Sequence, residues 1–257
     1  MNTFRFHTGD IDSYIASLGS RLDEDPSHEL EQILKIQLKD FQEYHIEGHE
    51  NSDICINAQK NNIKIHRDKH VVTLKLFLEN FEPSYIREAI NATLKELGTD
   101  FLEHIIISFP PKVKRVDEVY LAERHKKILK VWQEAEKLVD ENIVMLIGVA
   151  DLSIHELHKL IEHAKISPSI DQVHQYDDDL KKFADENSIE LLFHSDPIPF
   201  PTKQIFKDIC DTNECLHLFE PIFIPRWTAR YVIWAPCRII LEGKGYIFKF
   251  DKVEIED

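Results

Sequence analysis

The chain's 257 residues, 43% apolar and 30% charged, are enough to bury a real core in one large domain, 1–257. A formal charge of −15 excludes a dedicated surface for nucleic acid or anionic membrane, since both need clustered lysine and arginine. With no apolar run near ~20 residues, no signal-like start and four cysteines (55, 210, 215, 237) without CxxC spacing, the sequence predicts a cytoplasmic protein with free thiols.

FRFHTG (4–9) and DICINA (53–58) read as strands flanking a helix near 28–44, where Leu30, Ile33, Leu34 and Leu38 recur at helical spacing. VVTLKLF (71–77) is a strand. The helix at 83–98 turns Ile86, Ile90, Leu94 and Leu97 to one side, with Pro83 at its start and Gly98 past its end. HIIISF (104–109) has the unbroken apolar run of a strand covered on both faces, and two prolines stop it. A helix at about 118–140 follows, then the strand VMLIGVA (144–150). Ser153 and Glu156 form a capping box that opens a helix at 153–164. A short strand (171–175), a short helix (179–187) and a strand (190–195) complete the alternation.

Seven strands in βα alternation, with neither GxGxxG nor a P-loop, favour a (β/α)8 barrel over a doubly wound nucleotide-binding sheet. Alternation is lost after DPIPFP (196–201), and residues 230–255 read as a β-hairpin turning at Glu242–Gly245.

Few residues suggest chemistry. His45 and His49 have zinc-chelating spacing with Glu50 beside them, but no third ligand is evident, so no metal site is expected. HELH at 155–158 lacks the spacing of HExxH. Asp40 and Tyr44, one helical turn apart, read as a helix face. Neighbours on a strand point to opposite faces, so His194 and Ser195 make a poor dyad, and GxSxG is absent.

The stretch from VVTLKLF to FPP (71–111), then LIGVADL (146–152) and ISPSIDQVHQYDDD (166–179), resembles the aldo-keto reductases, TIM-barrel enzymes with a catalytic Asp, Tyr, Lys and His. On that resemblance Lys75, in TLKL, takes the place of the catalytic lysine. Ser108 stands where the family has histidine. The Asp…Tyr segment has no counterpart, because no tyrosine lies between Tyr44 and Tyr85, and the C-terminal clamp for a nicotinamide cofactor is missing. Carbonyl reduction needs a proton donor at the developing alkoxide, and a serine hydroxyl is a poor one. The two positions therefore read as degenerate, with no cofactor expected.

HTGD (7–10), SFPP (108–111), HSDP (194–197) and above all the tail W…RY…RIILEGKGYIF resemble one branch, the regulatory (modifier) subunits of glutamate–cysteine ligase. That resemblance implies a protein that binds and activates the catalytic subunit in a heterodimer and catalyses nothing itself. VHQYDDD has no cysteine where some members carry a pair, which removes an intersubunit disulfide from that loop. The alternatives are an NADP-dependent oxidoreductase with a rebuilt active site and a stand-alone ligand-binding barrel. Residues 219–257 depart most from reductases, and Arg226, Trp227, Arg230, Tyr231 and Trp234 are of the types that anchor interfaces. These five are the expected partner contacts.

Overall fold

The computed structural model describes residues 3–11, 25–38, 45–47, 54–57, 64–113, 117–212, 223–237 and 240–252. His49, Glu50, Asp40, Tyr44 and Cys215 lie outside them. In chain order the elements are β1 (Thr3–His7), α1 (Pro26–Gln37), β2 (His45–Glu47), β3 (Ile54–Asn57), β4 (Val71–Leu78), α2 (Ser84–Leu97), β5 (Leu102–Ser108), α3 (Glu118–Asp140), β6 (Val144–Ala150), α4 (Ile154–His163), β7 (Ile170–Val173), α5 (Asp178–Glu186), β8 (Glu190–Phe193), α6 (Thr202–Thr212), β9 (Phe223–Trp234) and β10 (Leu241–Lys252).

The local signals translate directly. Gly98 takes φ 60° as the left-handed cap of α2, a conformation cheap only for glycine. Ser153 and Glu156 close the capping box of α4. Strands β4 to β8 pair in parallel and in sequence order, as βα alternation requires. Their apolar side chains pack against Ile86, Ile90, Ile128, Trp132, Leu157 and Leu160 of the covering helices.

The architecture is the α/β barrel type expected. Neighbouring strands lie about 4.8 Å apart, so β4 and β8, four places apart, would be separated by about 19 Å in a flat sheet. Instead Asp196, three residues past β8, pairs with Lys75 of β4 at 2.8 Å, and Phe200 stacks on Phe77 with ring centroids 3.9 Å apart. The sheet rolls its strand ends together into one mouth.

Three expectations need correction, all in the last quarter of the chain. The segment after the prolines holds a helix, α6, which buries Ile205, Phe206 and Ile209. Three apolar residues on one face are a small periodic signal, and the prolines beside them mask it. The hairpin turns between Trp234 and Leu241, not at Glu242–Gly245. Gly245 lies inside β10, where a Cβ would come within 2.2 Å of the Tyr231 hydroxyl and 2.3 Å of the Gly9 carbonyl. This glycine serves close backbone approach, a second meaning of glycine in a strand.

Finally, β9 and β10 are no appendage. They stand within the sheet, antiparallel to their neighbours, in the order β3-β1-β10-β9-β4. The pair separates β4 from β1, and β3 lies on the far side of β1. An aromatic core forms around it: Phe250 stacks on Phe4 at 4.7 Å and meets Phe206 at 4.2 Å, with Phe6, Phe223 and Phe248 alongside.

Candidate functional site

In parallel α/β folds the carboxyl ends of the strands carry the ligand and catalytic residues. Here Ser108 ends β5, Asp151 follows β6, His174 follows β7, and His194 and Asp196 follow β8. A cavity of about 990 Å³ opens at this end, with Ser108, Lys112, Asp151, His174 and Tyr176 among its lining.

The two degenerate positions part company. Ser108 sits at the cavity rim, while Lys75 lies within the rolled sheet with 3% of its surface exposed. Opposite Lys75 across the β4–β9 ladder stands Arg230, a like charge that would repel it. Asp196 resolves this. One of its oxygens takes Lys75 Nζ at 2.8 Å and Arg230 at 2.7 Å, and Arg230 grips the other as well, in a bidentate clamp. Burial resists the charge on Asp196, but Arg230 and Lys75 outweigh it and hold its carboxyl far below the usual carboxylate range. Burial pushes Lys75 below an ordinary lysine despite Asp196. Beyond Arg230, the Tyr246 hydroxyl donates to Glu29 at 2.7 Å, and Lys244 also reaches Glu29.

Asp151 anchors a second group. Its backbone sits at φ 58°, a region aspartate tolerates better than most residues. One carboxylate oxygen meets His174 Nδ1 at 3.0 Å and the other meets His194 Nε2 at 3.0 Å. Burial works against the Asp151 charge; the two imidazoles and Lys75 overcome it and keep the carboxyl below its usual value.

Asp171 of β7 is the odd member. It is completely buried and neither oxygen has a hydrogen-bond partner. Burial, with repulsion from Asp151, pushes its carboxyl up from 3.8 to about 8, and the attraction of Lys75 does not offset this. The folded state therefore binds this proton more tightly than the unfolded chain. The associated stability is complete below pH ~4 and is lost as pH rises towards 8. Asp171→Asn, neutral throughout, is expected to gain on the parent by on the order of 5 kcal/mol between pH 4 and 8. Urea unfolding of both proteins at several pH values measures this, and a constant difference would show that Asp171 is ionised in the fold.

The expected partner contacts fare unevenly. Trp227 and Tyr231 are fully buried, because their side chains point inward from β9 onto the main core. They are core residues, and neither is available to a partner in this fold. Arg230 is committed to Asp196. Arg226, paired with Asp251 at 2.7 Å, and Trp234 are part-exposed. Sequence reasoning missed Asp151, Asp171, His174 and Asp196 as site residues. The available signal was positional, since each lies on or just past a strand that the βα alternation had marked.

A model of the aldo/keto reductase family matches residues 46–199. The chain is 30% identical over 190 residues to a human protein named glutamate–cysteine ligase regulatory subunit, covering 71% of this chain and 67% of that one. It is 23% identical over 219 residues to a protein of Schizosaccharomyces pombe named putative glutamate–cysteine ligase regulatory subunit, covering 76% of each. Among solved structures, an aldo/keto reductase from Brucella melitensis is similar at 22% identity and a TM-score of 0.41, over 55% of this chain and 52% of that one.

Proposed function

Because the chain belongs to the aldo/keto reductase family, in the branch of the glutamate–cysteine ligase regulatory subunits, we propose that it binds and activates the catalytic subunit of that ligase and reduces no carbonyl itself. The observation that carries the second half is the Asp196 clamp. A reductase lysine must sit beside the proton donor, whereas Lys75 is buried between Asp196 and Arg230. The nearest phenol in that network, Tyr246, is fully buried, and burial pushes its hydroxyl well above the usual tyrosine value. A harder-to-ionise, inaccessible hydroxyl is the reverse of what a general acid at a substrate carbonyl requires. This disfavours an oxidoreductase with a rebuilt site. The acidic surface fits a cytoplasmic protein, and among the described residues no helix is long and apolar enough to cross a membrane.

Of the expected contacts, Arg226 and Trp234 keep the exposure a partner needs, and both belong to this proposal. Calorimetric titration against the ligase catalytic subunit should give saturable binding and a lower KM for glutamate, and Trp234→Ala should weaken binding by more than about 1 kcal/mol. Binding without any kinetic change would reduce the role to that of a scaffold. Saturable NADPH binding with aldehyde turnover would restore the reductase reading.

A further inference from the structure

We propose that Asp151, His174 and His194 form a zinc-binding site at the cavity mouth. The three come from the ends of successive strands, and their ligand atoms lie within 4.8 Å of one another. Each carboxylate oxygen of Asp151 faces one imidazole nitrogen at 3.0 Å. The His194 side chain is only 6% exposed, and its Nε2, though close to Asp151, makes no aligned hydrogen bond. Both imidazoles thus converge on one carboxylate, with a ligand nitrogen of each beside a different oxygen of it. Zinc bonds of ~2.0–2.1 Å at tetrahedral angles separate ligand atoms by about 3.3 Å, so the two Asp151–imidazole separations need to open by only a few tenths of an ångström, while the two imidazole nitrogens, within 4.8 Å of each other, turn onto the same ion.

The surroundings supply what a metal histidine needs. His194 Nδ1 accepts the Asp196 backbone N–H at 3.1 Å, which leaves the proton of the neutral ring on Nε2. Ligation through Nε2 puts the ring proton on Nδ1, so the ring gives up the Asp196 backbone contact and turns that proton to Asp196 Oδ2, now 3.5 Å away. Asp196 then completes a carboxylate–histidine–metal relay, held in place by Lys75 and Arg230. Asp151 and His174 line the cavity, so ions have a path in and a fourth coordination position faces the open space, as in zinc sites that carry an exchangeable ligand. Two imidazoles and one carboxylate suit zinc better than magnesium or calcium, which prefer all-oxygen shells. The site does not depend on the ligase reading and is tested without the catalytic subunit.

The full chain, stripped with a chelator, is titrated with Zn²⁺ in competition with a chromophoric chelator, and with Co²⁺ while its visible absorption is followed. One equivalent should bind, and Co²⁺ should give ligand-field bands. Asp151→Asn and His194→Ala should each lower zinc affinity by at least about 100-fold and abolish those bands. His174→Ala, at an exposed position, should do the same without loss of fold, so it carries the test if the buried variants unfold. His163→Ala, in the ring pair with His125, should change nothing. Failure of the parent to compete for zinc, or parental affinity and spectrum in His174→Ala, would overturn the site.

Discussion

Truncation after Pro225 is expected to abolish folding altogether, so any loss of partner binding in such a variant would report on the fold and not on an interface. The cut removes all but the first residues of β9 and the whole of β10. With them go the fully buried Trp227, Tyr231, Ile233, Tyr246, Ile247 and Phe248, and Phe250 at 1% exposure. At about 1.5–3 kcal/mol for each of these seven large side chains withdrawn from water, their loss matches or exceeds the 5–15 kcal/mol that holds a typical domain together. It also strips β1 and β4 of their ladder partners within the sheet. Far-UV circular dichroism with urea titration should show no cooperative transition. A cooperative transition of parental slope would mean that the sheet closes without β9 and β10, with β4 finding another neighbour.

The second large effect is expected at Asp196. Asp196→Asn keeps the shape but leaves Lys75 and Arg230 facing each other without a counter-charge in a buried site. Removing one partner from a buried ion pair costs about 3–5 kcal/mol, because the remaining charge is stranded. The sign with pH follows from the folded carboxyl lying below its unfolded value of 3.8. The carboxylate's contribution is fully present above about pH 4 and is lost as acid protonates it in the fold. The gap between parent and variant should therefore be widest at neutral pH and narrow in strong acid. Adding Lys75→Met to Asp196→Asn should recover part of the loss, since it removes one stranded cation, whereas Lys75→Met alone leaves the Arg230–Asp196 clamp intact. Urea unfolding of the four proteins in a double-mutant cycle gives the coupling. Additive effects would show that the two side chains do not share the site.

By itself the sequence determined the half of the molecule built by local rules. Strands β4 to β6 declare themselves as short apolar runs, and α2 to α4 as 3.6-residue periodicity bounded by Pro83, Gly98 and the Ser153–Glu156 box. Lys75 and Ser108 were placed at strand positions by the motifs around them, and the absence of a tyrosine between 44 and 85 needed no coordinates. The tertiary structure decided everything that depends on which strands become neighbours. Trp227 and Tyr231 look alike as interface residues and as core residues in one dimension. Only the placement of β9 inside the sheet, with α2 packed over the face that carries them, makes them core. Gly243 and Gly245 read as a turn because glycine permits one, yet the Tyr231 hydroxyl and the Gly9 carbonyl that forbid a side chain at 245 lie 14 and 236 residues away. Asp151, His174 and the His194–Asp196 pair are separated by whole βα units, and the chain carries no spacing that joins the three places. They meet because the rolling of the sheet brings its strand ends to one mouth, where burial and neighbouring charge set the protonation of each.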